Sequence, residues 1–155
     1  MELDSLDRYI IYALQVDARH TSSSDIAERM DVSSSTVRNR IGRLEEQGII
    51  RGYHADVDYE LAGFQLHTLI VCSAPIPERE EYAEAALEVS GVVDVHEVMT
   101  GEENVLVTVV GEDGDDLSRI GRELSAIGLH VVDEDLIRSH HGHPYEGFYD
   151  DIRTD

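Results

Sequence analysis

The stretch from Asp31 to Gly52, DVSSSTVRNRIGRLEEQGIIRG, constrains the fold more than any other part of the chain. Val37, Ile41 and Leu44 recur at helical spacing, so a helix here carries one narrow apolar stripe that must be buried against something. Ser33 predicts its start, because the hydroxyl can accept an orphan backbone N–H. Gly48 predicts its end in a conformation that residues with a Cβ resist, with Ile49 folding back onto the last turn. The opposite face carries Ser35, Asn39 and Gly42, flanked by Thr36, Arg38 and Arg43. Hydroxyls, an amide and arginines around a glycine suit the floor of a DNA major groove. Any solvated helix face is polar too, so the surroundings have to decide.

Those surroundings are two more short helical patterns. Asp4 precedes the first, with Leu6, Ile10, Ile11 and Leu14 on one side. Ser22 caps the second, Asp25 sits three residues on as its capping-box partner, and Ile26, Ala27 and Met30 point inward. The turn Met30-Asp31-Val32-Ser33 leads into the third. Helices this short do not stand alone, so their stripes must share one small core. Three helices with a tight turn between the last two describe a helix-turn-helix unit.

Charge argues the other way at first sight. The chain carries 12 basic residues against 33 acids, a net charge of −21, whereas nucleic-acid binders are usually basic. The acidity is unevenly spread. Residues 1–52 hold seven arginines against nine acids, and the rest holds five against 24. No lysine occurs; every basic residue is arginine. Dense carboxylate without lysine resembles proteins of salt-loving microbes, and an acidic protein from an ordinary setting is the alternative. At about 1 M salt the Debye length is about 3 Å, which mutes repulsion from DNA. The same screening weakens phosphate-driven affinity, so base contacts and dimer geometry carry more of the binding.

The single Cys72 excludes an internal disulfide and reads as a small core residue. No apolar run approaches the roughly 20 residues of a membrane helix, and MELDSLDRY lacks the basic start of a signal peptide. A cytoplasmic protein is expected.

The segments LDSLDRYIIYALQVDAR and DIAERMDVSSSTVRNRIGRLEEQGIIRGYHADVDYELAG resemble the N-terminal half of the Lrp/AsnC (leucine-responsive, or feast/famine) transcription regulators, over residues 3–63. The resemblance implies a strand and hinge after the third helix. Ile50–Tyr59 alternates as a strand would, and Leu61-Ala62-Gly63 would be the hinge. The remainder reads as βαββαβ: a strand over Leu66–Ala74, a helix over Glu78–Val89 with Tyr82, Ala85, Ala86 and Val89 inward, and a hairpin of Val92–Met99 with Asn104–Val110. A helix over Asp115–Ile127 follows, with Leu117, Ile120, Leu124 and Ile127 at core spacing, and then a strand over Leu129–Ser139. The resemblance implies a ferredoxin-like domain that dimerises and senses small molecules. The expected fold is therefore α+β. A helix-turn-helix domain (1–52) is followed by a strand and hinge (53–63), a ferredoxin-like domain (64–139) and a loosely held C-terminal tail (140–155).

Ser35, Arg38 and Asn39 are the candidates for base contact. Ser24, Thr36 and Arg43 are candidates for phosphates, with Ser34 in the same set, because a helix N-terminus with free hydroxyls seats a phosphate. Arg40 lies nearer the apolar stripe and has two readings, DNA or a carboxylate of the first two helices. A dimer would set two recognition helices about 34 Å apart or a multiple of it, which predicts imperfect palindromes as targets. The resemblance extends this to tetramers or octamers.

The resemblance also implies an amino-acid site at subunit interfaces, built on a Gly-Asp-Tyr-Asp-like turn. Here Thr100 is followed by Gly101-Glu102-Glu103-Asn104, which keeps the glycine, replaces the tyrosine by an acid and the last aspartate by an amide. An ammonium ligand would lose a charged partner at Asn104, worth about 1.5–3 kcal/mol in a dry site. Glu103 as substitute, a different ligand, and a merely solvated acidic hairpin all remain open. His140, His141 and His143 have metal-binding chemistry. Adjacent histidines seldom complete a tetrahedral site, so a polar exit from the last strand is the preferred reading and no cofactor is required.

The leading expectation is a double-stranded-DNA-binding regulator rather than an enzyme. Sirohaem decarboxylases resemble the same scaffold, but a second half at −19 does not welcome a polycarboxylate. An architectural DNA packer is the remaining alternative.

Overall fold

The computed structural model describes residues 2–149. The described chain forms two compact units: one holds residues 2–55 together with 141–149, the other Asp56–His140.

The first unit is built on α1 (Ser5–Asp17), α2 (Ser23–Met30) and α3 (Ser34–Glu46). Capping boxes open the first two. Asp4 and Asp7 exchange side-chain-to-backbone bonds at α1, and Ser22 and Asp25 do so at α2. Ser33 caps α3 by accepting from the Thr36 N–H at 3.1 Å. The turn between α2 and α3 puts Asp31 in the left-handed region at φ 52°, a conformation a short polar side chain tolerates. Gly48, at φ 69°, closes α3. Its N–H reaches the Glu45 carbonyl and the Ile49 N–H reaches that of Leu44, the paired bonds of a Schellman ending. The hydrophobic partner differs from expectation: Ile49 is exposed, and Ile50 packs on the core. That core is Leu6, Ile10, Ile11, Ala13, Ile26, Ala27, Val37 and Leu44.

The expected strand over Ile50–Tyr59 does not form; residues 51–58 have no regular structure. An alternating pattern becomes a strand only where a second backbone edge supplies hydrogen bonds, and the described chain brings none to this segment. A hydrogen-bonded turn follows instead, opened by Asp58 accepting from the Leu61 N–H.

The second unit contains β1 (Leu66–Ser73), α4 (Arg79–Leu87), β2 (Val92–Glu97), β3 (Val105–Gly111), α5 (Gly114–Ile127) and β4 (His130–Leu136). The antiparallel sheet has the order β2-β3-β1-β4, the ferredoxin-like arrangement. β1 and β3 lie at the centre, with Ile70 opposite Val107 and Cys72 opposite Val105. These four residues, with Val109, face α4 and α5 and meet Ala83, Ala86, Ile120 and Leu124. Ala83 takes the inward place expected of Ala85. Alternation sends Leu69, Val71, Leu106, Thr108 and Val110 to the opposite face of the sheet. β2 and β4 stop at Glu97 and Leu136, short of the expected Met99 and Ser139.

The chain beyond His140 is not a loose tail as far as Tyr149. A helical turn at Glu146–Phe148 packs on α1. Phe148 joins the three-helix core, and the Tyr149 ring stacks on Tyr12 with centroids 4.9 Å apart. The rings of Phe148 and Tyr149 find apolar surface that α1 would otherwise expose. The remainder of the expected tail, residues 150–155, lies outside the described residues.

Candidate DNA interface and effector loop

The inner face of α3 holds it on α1 through its apolar stripe and through charge. Asp7 is fully buried. Its Oδ1 accepts from Arg40 Nη1 at 3.0 Å, and its Oδ2 from Arg43 Nη2 at 2.9 Å. Arg40 Nη1 also donates to Asp4 Oδ2 at 2.7 Å. Burial alone would raise the Asp4 pKa, but the Asp7 backbone N–H and the Arg40 guanidinium outweigh it and hold the carboxyl low. The bonds to Asp4 and then Asp7 hold the Arg40 pKa up. Of the two readings of Arg40, the carboxylate is the one the structure adopts. Arg43, expected at a phosphate, has its Nη2 engaged by Asp7. A buried carboxylate needs this pairing, because an ion left alone there is strongly disfavoured.

The outer face is different. Ser35, Arg38 and Asn39 are exposed, and Arg38 and Asn39 form no hydrogen bond or ion pair among the described residues. A Cβ added at Gly42 would meet nothing within 4 Å, so the helix surface there is open to a close approach. Around the N-terminus of α3, Ser24 Oγ lies 3.2 Å from Ser34 Oγ, and Ser33 Oγ lies 2.7 Å from Thr36 Oγ1 and 3.0 Å from Ser35 Oγ. Hydroxyls from α2 and α3 thus gather beside the unpaired N–H groups of the helix start, as an anion site requires. The expected base-contacting and phosphate-contacting serines are therefore neighbours, and Arg43 stands apart from them. Sequence reasoning missed Asp7. Its signal was available in the spacing Asp4-x-x-Asp7, a capping box whose carboxylates also face arginines three apart on α3.

The loop between β2 and β3 carries the candidate effector residues. Thr100, Gly101, Glu102 and Glu103 are exposed. Asn104 is buried, and both ends of its amide bond to one residue: Oδ1 accepts from the Ala74 N–H and Nδ2 donates to the Ala74 carbonyl, each at 2.8 Å. The side chain ties the loop to the end of β1, so the amide of Asn104, expected among the effector-binding residues, is spent within the fold. On the other side of the loop, Arg79 Nη1 donates to the Val98 carbonyl at 3.0 Å and its Nε to Glu97 at 3.3 Å. Met99–Glu103 is consequently a short exposed span anchored at both ends.

Among the described residues no group of three or more His, Cys, Asp or Glu could hold a metal ion. His143 Nδ1 donates to the Pro144 carbonyl at 2.8 Å. Burial pushes the Cys72 thiol up to about 11, which makes it a poor nucleophile. No helix of the described residues is long and apolar enough to cross a membrane.

Comparison with known proteins agrees with this geometry. A family described as winged helix-turn-helix DNA-binding matches residues 3–51. An HTH-type transcriptional regulator of Pyrococcus furiosus is 31% identical over 88% of this chain and 97% of its own length. The regulator LrpA of Pyrococcus horikoshii is 30% identical over 76% of this chain and 82% of its own. A transcriptional regulator of Neisseria meningitidis, solved as an L-methionine complex, superposes with a TM-score of 0.71 at 25% identity, covering 92% of this chain and 94% of that one. Helix-turn-helix unit, ferredoxin-like unit and near full-length similarity coincide, so the chain belongs to the Lrp/AsnC family of HTH-type, DNA-binding transcription regulators.

Proposed function

We propose that this regulator reads imperfect palindromic DNA through Ser35, Arg38 and Asn39, acting as a dimer or higher oligomer and without catalysis. The observation that carries this reading is the outer face of α3, where Arg38 and Asn39 are exposed and uncommitted while Asp7 holds Arg40 and Arg43. Two features favour self-association. The face of the sheet bearing Leu69, Val71, Leu106 and Val110 lies opposite α4 and α5, and apolar sheet surface of that kind is ordinarily covered. Residues 51–58 alternate like a strand without forming one, which a second chain edge would complete. With a net charge of −21, the protein works best in high salt, where repulsion from DNA is screened. Selection of bound sequences from random DNA in molar potassium chloride tests the reading. An enriched two-half-site sequence supports it, and a pool with no preference overturns it.

An amino acid is the effector class we favour, seated against the Met99–Glu103 loop with Glu102 or Glu103 facing its ammonium group. The L-methionine complex of the Neisseria relative motivates the class, and the two acids supply the charge Asn104 does not. Calorimetric titration with each amino acid tests it; uniformly flat traces reject it.

A further inference from the structure

Two carboxylates at the start of α1, Asp4 and Asp7, meet two arginines of the recognition helix, Arg40 and Arg43. Asp7 has no exposure. Its two oxygens receive Arg40 Nη1, both contacts of Arg43 Nη2 at 2.9 and 3.2 Å, and the Asp4 backbone N–H at 3.3 Å. Arg40 and Arg43 lie one helical turn apart, so a single carboxylate held between them sets the rotation of α3 about its own axis as well as its distance from α1. A second consequence concerns charge. Asp4 and Asp7 neutralise Arg40 and Arg43, and Arg38 is left as the one α3 arginine without a partner among the described residues. Arg43 Nε is also buried without a hydrogen-bond partner, as expected of a guanidinium held in place by its Nη edge rather than by the best fit for every N–H.

We propose that Asp7 is a positioning residue for DNA reading, which orients α3 through Arg40 and Arg43 and withholds their charge from the phosphate backbone. This rests on the DNA-binding reading above and adds the source of its selectivity. Each phosphate a protein neutralises adds about 0.9 to the slope of log affinity against log salt, whatever the sequence. A recognition helix with three free arginines would therefore hold any DNA. One free arginine beside Ser35 and Asn39 leaves discrimination to the base edges.

The test uses the full chain and the sequence that it selects from random DNA, with a scrambled duplex as the non-specific partner, both across a potassium chloride series. Asp7→Asn keeps the shape and an acceptor for the Asp4 N–H but no longer neutralises Arg43. Binding to the scrambled duplex should then strengthen, its salt slope should rise by about 0.9, and the specific-to-scrambled ratio should fall about tenfold, the scale of one misread base pair. A purely structural Asp7 would weaken both duplexes together with unchanged slope, and that result overturns the proposal. Arg43→Gln decides the matter should Asp7→Asn not fold. Its slope stays at the wild-type value if Asp7 already neutralises Arg43, and drops by about 0.9 if Arg43 contacts a phosphate, which also overturns the proposal. A wild-type chain that selects no sequence would sink the DNA-binding reading itself. Selection by the wild type with an unaltered ratio and slope in Asp7→Asn would sink only the role of Asp7.

Discussion

Asp7 and Arg43 are 36 positions apart in sequence, yet Arg43 Nη2 donates to Asp7 Oδ2 at 2.9 Å beneath the recognition helix. On the function proposed above, the pair lets so acidic a chain present a face for reading DNA. Two of the three α3 arginines hold the helix in place, and the face that remains is short, polar and carries a single free positive charge.

That face should be separable from folding. Replacing Arg38 and Asn39 together by alanine should abolish operator preference in a mobility-shift assay, since each bidentate base contact is worth about 1–3 kcal/mol. Both side chains are exposed and unpartnered, so thermal unfolding should shift by no more than about 0.5 kcal/mol. Unchanged operator occupancy would reduce the ridge to ordinary surface.

Asn104 should behave as a structural residue. In Asn104→Asp the Ala74 carbonyl would face a carboxylate oxygen instead of an N–H, a loss of about 3 kcal/mol at neutral pH. Such a carboxyl has a raised pKa in the folded chain. The variant should therefore regain stability below the ordinary carboxyl range, where the protonated acid can donate, and lose it as pH rises through the folded value. Chemical denaturation at pH 4 and pH 7 checks the sign; equal losses at both would show that the amide is not needed as a donor.

Acid should destabilise the wild-type chain through its helix starts. Hydrogen bonds from Arg119 and the Glu112 N–H hold Asp116 below its ordinary value of 3.8, and bonds from Ser22 do the same for Asp25. Because the folded values are depressed, their stabilisation is complete above the ordinary value and disappears as pH falls through the folded ones. Thermal unfolding from pH 6 to pH 2 at fixed salt should show a falling acid limb, shallower in Asp116→Asn. A variant that tracks the wild type throughout would remove Asp116 from the explanation.

The C-terminal segment should stabilise the first unit. Phe148→Ala removes a half-buried ring from the three-helix core and should lower stability by about 1–2 kcal/mol. Tyr149→Ala, which loses the stack on Tyr12, should lower it by about 0.5–1.5 kcal/mol. Faster proteolysis within α1 reports both, and wild-type resistance in both variants would mean that the docked turn contributes nothing.

The sequence by itself determined most features whose partners lie within a few residues. Serine and aspartate caps, the glycine ending of α3, the apolar stripe of Val37, Ile41 and Leu44, and the alternating strands were legible because a helical turn or a pleat repeats over two to four positions. The order of the elements, and with it the family, followed. Tertiary structure decided the rest. Asp7 found Arg40 and Arg43, Asn104 found Ala74 30 residues away, and Tyr149 found Tyr12 across nearly the whole chain. Among 33 acids and 12 arginines no local rule selects which pair will meet. The same reasoning governs residues 51–58, whose alternation is a local property but whose strand requires the backbone of another segment. Periodicity states what a stretch can bury or pair; only the assembled fold brings the partner within 3 Å.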